Sequence, residues 1–353
     1  MNDQEKRPPE TQLSCVRSRL YLREPFRISG YTFEEFPIIT AYLTSAGFTG
    51  RGEAAGVYYN NDTPASIQQT LQKFRGEIEA GLSRQELRNL LPPGGARNAI
   101  DCAMWELEAQ LAGVAVWQMA GLGKPLPLMT TMTLGASSPG AMANGALKFT
   151  HAKALKLKLT GETELDIDRV KAVRLVRPDV WLGVDANQGF TPDTIEPLLR
   201  TLVECNAMLI EQPFARGCED QMKSVAFPIS TAADESCLDL LELERFHDLF
   251  DVVNIKLDKC GGLTEGLMMA ERARQLGLKV MVGNMGGTGI AMAPALILGQ
   301  YCDVVDLDGP LVICNDCYPT VLYENGDIAS SSNVWGGIES SNSVVTRELG
   351  ANA

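Results

Sequence analysis

The chain has 353 residues, of which 45% are hydrophobic and 21% charged, with a formal net charge of −13. That length accommodates one large domain or two ordinary ones with ample core, and the acidic balance argues against a nucleic-acid partner, which needs a basic surface. The opening MNDQEKRPPETQ has no apolar core for a secretory signal, and nine scattered cysteines without such a signal read as reduced thiols in the cytoplasm.

In chain order, residues 13–22 and 37–57 alternate apolar and polar positions, as in SCVRSRLYL and PIITAYLTS, and predict antiparallel strands. Residues 64–80 and 97–113 have helical periodicity; NAIDCAMWELEAQL (98–111) carries a strong apolar stripe, and PPGGA (92–96) makes a loop before it. Together they form an α+β domain over residues 1–125. Across residues 126–319 strands and helices alternate. Predicted strands begin near Thr131, Ala154, Val180, Ala207, Pro228, Asp251, Leu278 and Val304, 21–27 residues apart. Eight short strands rich in Val, Ile and Leu, separated by helices such as LTEGLMMAERARQLG (263–277), predict an α/β fold of parallel units closed into a barrel. Residues 280–302 carry no charge, yet Gly283, Asn284, Gly286, Gly287, Gly289 and Pro294 read as strand, loop and buried helix rather than a membrane span. Cys314 and Cys317 form a C-x-x-C pair without the second pair or nearby His that a zinc site needs. After Pro310 the chain turns polar, and residues 320–353 are expected to return to the first domain.

Five of the predicted strands run straight into a charge: ALKLKL at Lys158, WLGVDANQ at Asp185, MLIEQP at Glu211, STAADES at Asp234 and VVNIKLDK at Lys256. In a β/α barrel these strand ends share one rim. Three adjacent carboxylates repel one another unless a hard cation sits among them, and oxygen-only donors suit Mg²⁺; salt bridges to the lysines are the plainer alternative. Lys158 and Lys256 flank the three acidic strands, an arrangement for removing a proton from one face of a carbon and returning it to the other. A base must be neutral, so a lowered lysine pKa is expected, with Lys156 and Lys259 supplying positive charge nearby. The Gly-rich GNMGGTG (283–289) lacks phosphate-loop spacing; its small residues are expected to admit the substrate backbone to the rim.

K-L-K (156–158), D-A-N (185–187), E-Q-P (211–213), D-E-S (234–236) and N-I-K-L-D-K-C-G-G-L-T-E (254–265) occur in the order seen in the enolase superfamily, and over nearly its whole length the chain resembles the muconate-lactonising-enzyme subgroup. The resemblance implies a modified TIM barrel of (β/α)7β type under an α+β capping domain, with Asp185, Glu211 and Asp234 binding Mg²⁺ and Lys158 and Lys256 as the acid/base pair. Within the subgroup it is most similar to the dipeptide epimerases, above all those acting on L-Ala-D/L-Glu. D-L-D-G-P (306–310) matches their Asp-x-Asp, which implies that Asp306 and Asp308 bind a dipeptide α-ammonium; a structural turn at Asp308–Gly309–Pro310 is the other reading.

The implied activity is two-base 1,1-proton transfer at the α-carbon of the C-terminal residue of an L-Ala-Xaa dipeptide, through an enediolate that the metal stabilises. An N-acylamino-acid racemase, which has no ammonium to bind, and a cycloisomerase or dehydratase are the alternatives. The expected partner is a small dipeptide, with no nucleic acid and no membrane; self-association stays open. The lid segments depart from the family. PFRISGYTFEEF (25–36) and GVYYNNDTP (56–64) lack the cations that meet a Glu side chain, apart from Arg27 at a strand edge. Arg27 or Arg51 could still serve, or be surface or cap-to-barrel pairs. Tyr58 and Tyr59 line the side-chain pocket or belong to the core of the cap.

Overall fold

The computed structural model describes residues 11–331 and 333–337. Residues 1–10, where no secretory signal was expected, and residues 332 and 338–353 of the segment expected to return lie outside the described residues.

The N-terminal part is an antiparallel sheet of β1 (Gln12–Ile28), β2 (Tyr31–Ser45) and β3 (Phe48–Ala54), in that order. The run expected as one strand over 37–57 is two strands. They turn at Ala46 and Gly47, with φ of +50° and +84°, and the glycine takes the left-handed conformation without cost. Helices α1 (Pro64–Lys73), α2 (Arg75–Glu79), α3 (Arg84–Leu90) and α4 (Gly95–Ala112) follow, and the short α5 (Val116–Met119) leads out of the cap. α4 lies on β3 so closely that a Cβ at Gly50 would sit 1.9 Å from the Ala103 carbonyl oxygen, and one at Gly52 2.0 Å from that of Ala99. Neither backbone oxygen can yield without moving the helix. Gly52→Ala is therefore expected to destabilise the protein by about 2–3 kcal/mol, read as a lower urea midpoint; an unchanged midpoint would show slack between helix and sheet.

A short β4 (Leu128–Met129) precedes the barrel strands β5 (Thr131–Leu134), β6 (Ala154–Lys158), β7 (Trp181–Asp185), β8 (Leu209–Glu211), β9 (Ser230–Ala233), β10 (Val252–Lys256), β11 (Lys279–Gly283) and β12 (Val304–Val305). These eight are parallel and pair in sequence order, each starting within two residues of its predicted position. Helices α6 (Pro139–Lys148), α7 (Thr163–Val176), α8 (Pro192–Glu204), α9 (Leu240–Phe246), α10 (Leu257–Cys260), α11 (Leu263–Gln275), α12 (Gly289–Gly299) and α13 (Gly309–Val312) surround them. Strands β12 and β5 are not hydrogen-bonded as a ladder. Side chains bridge that seam: Leu307 N donates to Thr130 Oγ1 at 2.9 Å, and Thr133 N donates to Asp308 Oδ2 at 2.6 Å. After the barrel, β13 (Leu322–Glu324) and β14 (Asp327–Ala329) form a small antiparallel sheet with β4. Among the described residues no helix is long and apolar enough to cross a membrane, and no cysteine is in a disulfide.

Period-two alternation sorts the barrel side chains. Leu155, Leu157, Val184, Ile210, Val253 and Ile255 belong to the main core beneath the helices. Leu209, Ala232, Val252 and Met281 form a separate apolar cluster, one residue from each of four adjacent strands. Two residues further along the same strand faces stand Glu211, Asp234 and Asn254 of the rim, with Lys256 two beyond Asn254.

Cap and barrel are joined through buried carboxylates. Glu53 accepts from Thr288 N and Oγ1, both at 2.7 Å; Asp101 on α4 accepts from Thr264 N at 2.9 Å and Oγ1 at 2.6 Å; Asp258 on α10 accepts from Gly56 N at 2.9 Å. Burial pushes Glu53 and Asp258 up to about 7 and Asp101 to about 6. Between the ordinary carboxylate pKa and these values the folded chain holds protons that the unfolded chain has lost. Stability therefore falls as pH rises from about 4.5 to 7 and levels off above. Glu53→Gln keeps both Thr288 contacts and should flatten that slope, by on the order of 3 kcal/mol between the two ends. Urea unfolding at pH 5 and pH 8 measures it; an unaltered slope would remove Glu53 as its source.

Candidate active site

The inward alternation of β6, β7, β8 and β10 brings Lys156, Lys158, Asp185, Glu211, Asn254 and Lys256 to one rim, with Asp234 just beyond β9. Register is direct: Lys158 pairs with Asp185, and Asp185 with Glu211. Asp185, Glu211 and Asp234 are buried, and each offers an oxygen within 4.8 Å of the others. Lys158 and Lys256 stand on the strands either side of the three.

Each lysine meets a carboxylate. Lys158 Nζ lies 2.5 Å from Asp185 Oδ2, Lys256 Nζ 2.6 Å from Asp234 Oδ2, and Lys156 Nζ 3.3 Å from Glu211 Oε2 and in contact with Asp306. The salt bridges foreseen as the plainer alternative are thus present. At Lys256 they also run against the expected lowering of the lysine pKa. Burial opposes the charge on Lys256, but Asp234, Glu211 and Asp185 outweigh it and hold the ammonium well above its ordinary value. Lys156 is likewise raised, with Asp306 and Glu211 outweighing burial. Burial, and then Asp185, pushes Glu211 up to about 7, whereas Lys256 and Lys259 overcome burial and depress Asp234.

Several groups that shape the rim went unnoticed in the sequence. Asn254 Nδ2 donates to Glu211 Oε1 at 2.6 Å; its place two residues before Lys256, on the same strand face, was the available signal. Gln212, in a left-handed conformation with φ of +39°, accepts from Asp234 N and Ser236 N, both at 3.0 Å, and so orients the third carboxylate. Lys259, by contrast, was expected as a nearby positive charge and is an anchor: its Nζ donates to Asp234 Oδ1 at 2.7 Å and to the carbonyls of Asp234, Cys237 and Asn254.

The donor set fits a divalent metal. The three carboxylates supply only oxygen. Two further buried acceptors on the same cavity, Asn187 Oδ1 and Glu235 Oε2, have no protein partner and so have capacity for donors such as an ion's water molecules.

A cavity of about 660 Å³ opens over this rim, lined by Lys156, Lys158, Asp234, Lys256, Asp306 and Asp308 from the barrel and by Tyr58 from the cap. Asp306 already accepts from Lys156 and from Thr131 Oγ1, and Asp308 Oδ2 from Thr133 N. Lys156, expected at the substrate, has its ammonium held between Asp306 and Glu211 while still bordering the cavity. Arg27 does not reach the cavity. Alternation on β1 sends Phe26 and Ile28 into it, while Arg27 lies in a separate groove beside Ser137, Ser138 and Arg169. Arg51 is held by Glu106, at 2.9 and 2.5 Å, and is no lid cation. The Gly-rich loop lines the cavity through Asn284, Met285 and Gly286, and its small residues also admit the cap. A Cβ on Gly286 would stand 2.9 Å from the Phe36 ring, and one on Gly287 3.0 Å from Glu53 Oε1.

A nearly closed parallel barrel, capped by an antiparallel α+β layer over a carboxylate cluster, is an enolase-like architecture. Residues 109–307 match the enolase C-terminal domain-like family, and residues 10–121 match the mandelate racemase / muconate lactonizing enzyme N-terminal domain; the chain belongs to that family. It is 32% identical to an L-Ala-D/L-Glu epimerase of Escherichia coli K12, over 87% of this chain and 96% of the relative. Its structure superposes, with a TM-score of 0.89 and 34% identity, on an enolase family member from Agrobacterium tumefaciens with homology to dipeptide epimerases, solved with sodium and L-Ala-L-Glu; 92% of this chain and 100% of that one are covered. A dipeptide epimerase of Enterococcus faecalis, solved with Mg and L-Leu-L-Tyr, is 28% identical with a TM-score of 0.81, covering 90% and 94% of the two chains.

Proposed function

We propose that this protein is a Mg²⁺-dependent dipeptide epimerase, exchanging the configuration at the α-carbon of the C-terminal residue of an L-Ala-Xaa-type dipeptide. The observation that carries the reading is that Lys158 and Lys256 border one cavity from opposite flanks of the carboxylate cluster, with Asp308 on the same wall. The three relatives named above act on or hold dipeptides, whereas an N-acetyl-D-glutamate racemase and an N-succinyl Arg/Lys racemase also match over most of the chain.

Asp185, Glu211 and Asp234 would hold the ion. A Mg²⁺ ion held there would supply positive charge for a substrate carboxylate and for the negative charge that develops when the α-proton leaves. The chain's own residues do the proton work. One lysine, released from its carboxylate and neutral after giving its own proton to solvent, takes the α-proton on its face; the other, still an ammonium, delivers a proton to the opposite face and is left neutral. Because neither amine needs to move across the substrate, the exchange is reversible and symmetric in design. Asp308, whose Oδ2 accepts from Thr133 N and which borders the cavity, would take the dipeptide ammonium, with Asp306 and Lys156 fixing the wall behind it. We assign recognition to the capping domain (1–125), chemistry to the barrel (126–319), and a return onto the cap to residues 320–353. Nine cysteines without a disulfide support a reducing, cytoplasmic setting.

The test is incubation with Mg²⁺ in ²H₂O, following the α-proton by NMR for L-Ala-L-Xaa dipeptides and for N-acylamino acids. Exchange and inversion of dipeptides is the expected result. Exchange of N-acylamino acids alone would overturn the assignment in favour of a racemase.

A further inference from the structure

Resting on the dipeptide reading above, we propose that the epimerised residue carries an apolar side chain, an aromatic one above all, and that Phe33 and Tyr58 select it. Five rings line the cap side of the cavity: Phe26, Phe33 and Phe36 from the β1–β2 hairpin, and Tyr58 and Tyr59 from the turn after β3. They are one continuous wall. Ring centroids are 6.5 Å apart for Phe26 and Phe36, 5.5 Å for Phe36 and Phe33, 5.2 Å for Phe33 and Tyr58, and 5.1 Å for Tyr58 and Tyr59. Tyr31 backs it, 6.0 Å from Phe33 and 4.8 Å from Tyr58. These edge-to-face and tilted contacts tie two lid segments into a single surface and preorganise it. Gly286 of the barrel holds the Phe36 end of the wall against the rim, since any side chain there would strike the ring.

The charges around this wall exclude a glutamate side chain. The cations bordering the cavity, Lys156, Lys158 and Lys256, each have a carboxylate partner and lie at the reacting rim. Arg27 faces the other groove and Arg51 is bound by Glu106. The cap side contributes the carboxylates of Glu34, Glu35 and Asp62 instead. A substrate carboxylate entering here would lose its water and meet like charge, aromatic carbon and neutral hydroxyls such as that of Tyr59, with no guanidinium or ammonium from the cap among the residues lining the cavity. A lysine side chain gains little either: Glu35 engages Arg19 at 3.2 Å, Asp62 accepts from Gly95 N at 2.7 Å, and Glu34 stands in solvent, where an ion pair is weak. A ring or branched aliphatic group buries its surface against the wall at no such cost.

The experiment compares kcat/KM for L-Ala-L-Phe, L-Ala-L-Leu, L-Ala-L-Glu and L-Ala-L-Lys on the Mg²⁺-loaded protein; the Agrobacterium neighbour's ligand makes L-Ala-L-Glu the necessary control. L-Ala-L-Phe should exceed L-Ala-L-Glu by about 100-fold, and a preference for Glu or Lys would overturn the inference. Phe33→Arg should raise L-Ala-L-Glu and lower L-Ala-L-Phe, each by about tenfold or more. Should that variant not fold, Tyr58→Ala decides: it is expected to cost L-Ala-L-Phe about tenfold more than L-Ala-L-Ala, and equal losses would make the ring merely structural. If no dipeptide reacts and N-acylamino acids do, the dipeptide reading fails, and the side-chain inference is then settled on N-acetylphenylalanine against N-acetylglutamate.

Discussion

Lys158→Ala and Lys256→Ala are each expected to lower epimerisation by about 10³-fold, within the range that a positioned acid or base contributes. The two variants should differ in what they retain. With Lys256 gone, Lys158 can still take the α-proton of the epimer whose hydrogen faces it, exchange it with solvent and return it to the same face. That epimer should wash in deuterium without inverting, and the other should be inert. Lys158→Ala should show the mirror pattern. NMR of each purified epimer in ²H₂O separates the cases, and exchange of both epimers by both variants would end the two-base assignment. Loss of either lysine also leaves a buried carboxylate short of its partner, Asp185 or Asp234. Each variant's melting temperature should therefore be read beside its kinetics, so that unfolding is not mistaken for lost chemistry.

Chelation is expected to produce the second large effect. Dialysis against EDTA should reduce turnover by about 10³-fold or more, since metal-borne charge stabilisation amounts to several kcal/mol, and added Mg²⁺ should restore it. Glu211→Gln should weaken Mg²⁺ binding measured by calorimetry while leaving the chain folded, because an amide can still accept from Asn254 and burial of Glu211 as an anion is already unfavourable. Full activity after chelation would overturn the metal reading. Without the ion, Lys156, Lys158, Lys256 and Lys259 balance Asp185, Glu211, Asp234 and Asp306 one for one, so metal-free protein should remain folded and inactive rather than unfold.

The barrel was legible because its repeat is regular. The eight strands start within two residues of their sequence-predicted positions, and alternation along β6, β7, β8 and β10 explains why Lys158, Asp185, Glu211 and Lys256 meet. The cap was less legible. Its β2 and β3 merged into one predicted run, since a tight turn at Ala46–Gly47 barely interrupts the alternation. Arg27 was misplaced for a different reason: it neighbours two lid residues in sequence, but on a strand neighbouring side chains point to opposite faces. The Gly-rich loop was recognised as a place of close approach, yet what approaches Gly286 is Phe36 of the cap.

From sequence alone came the class of chemistry, because strand ends in a β/α barrel converge on one rim and charges placed there have to meet. Only the tertiary structure decided the rest. It set which lysine rests on which carboxylate, committed Asp306 to Lys156, and assembled the aromatic wall from the β1–β2 hairpin and the turn after β3. It also pinned cap to barrel through contacts such as Glu53 to Thr288, 235 residues apart. Such pairings depend on how two separately patterned layers dock, and a local period carries no record of docking.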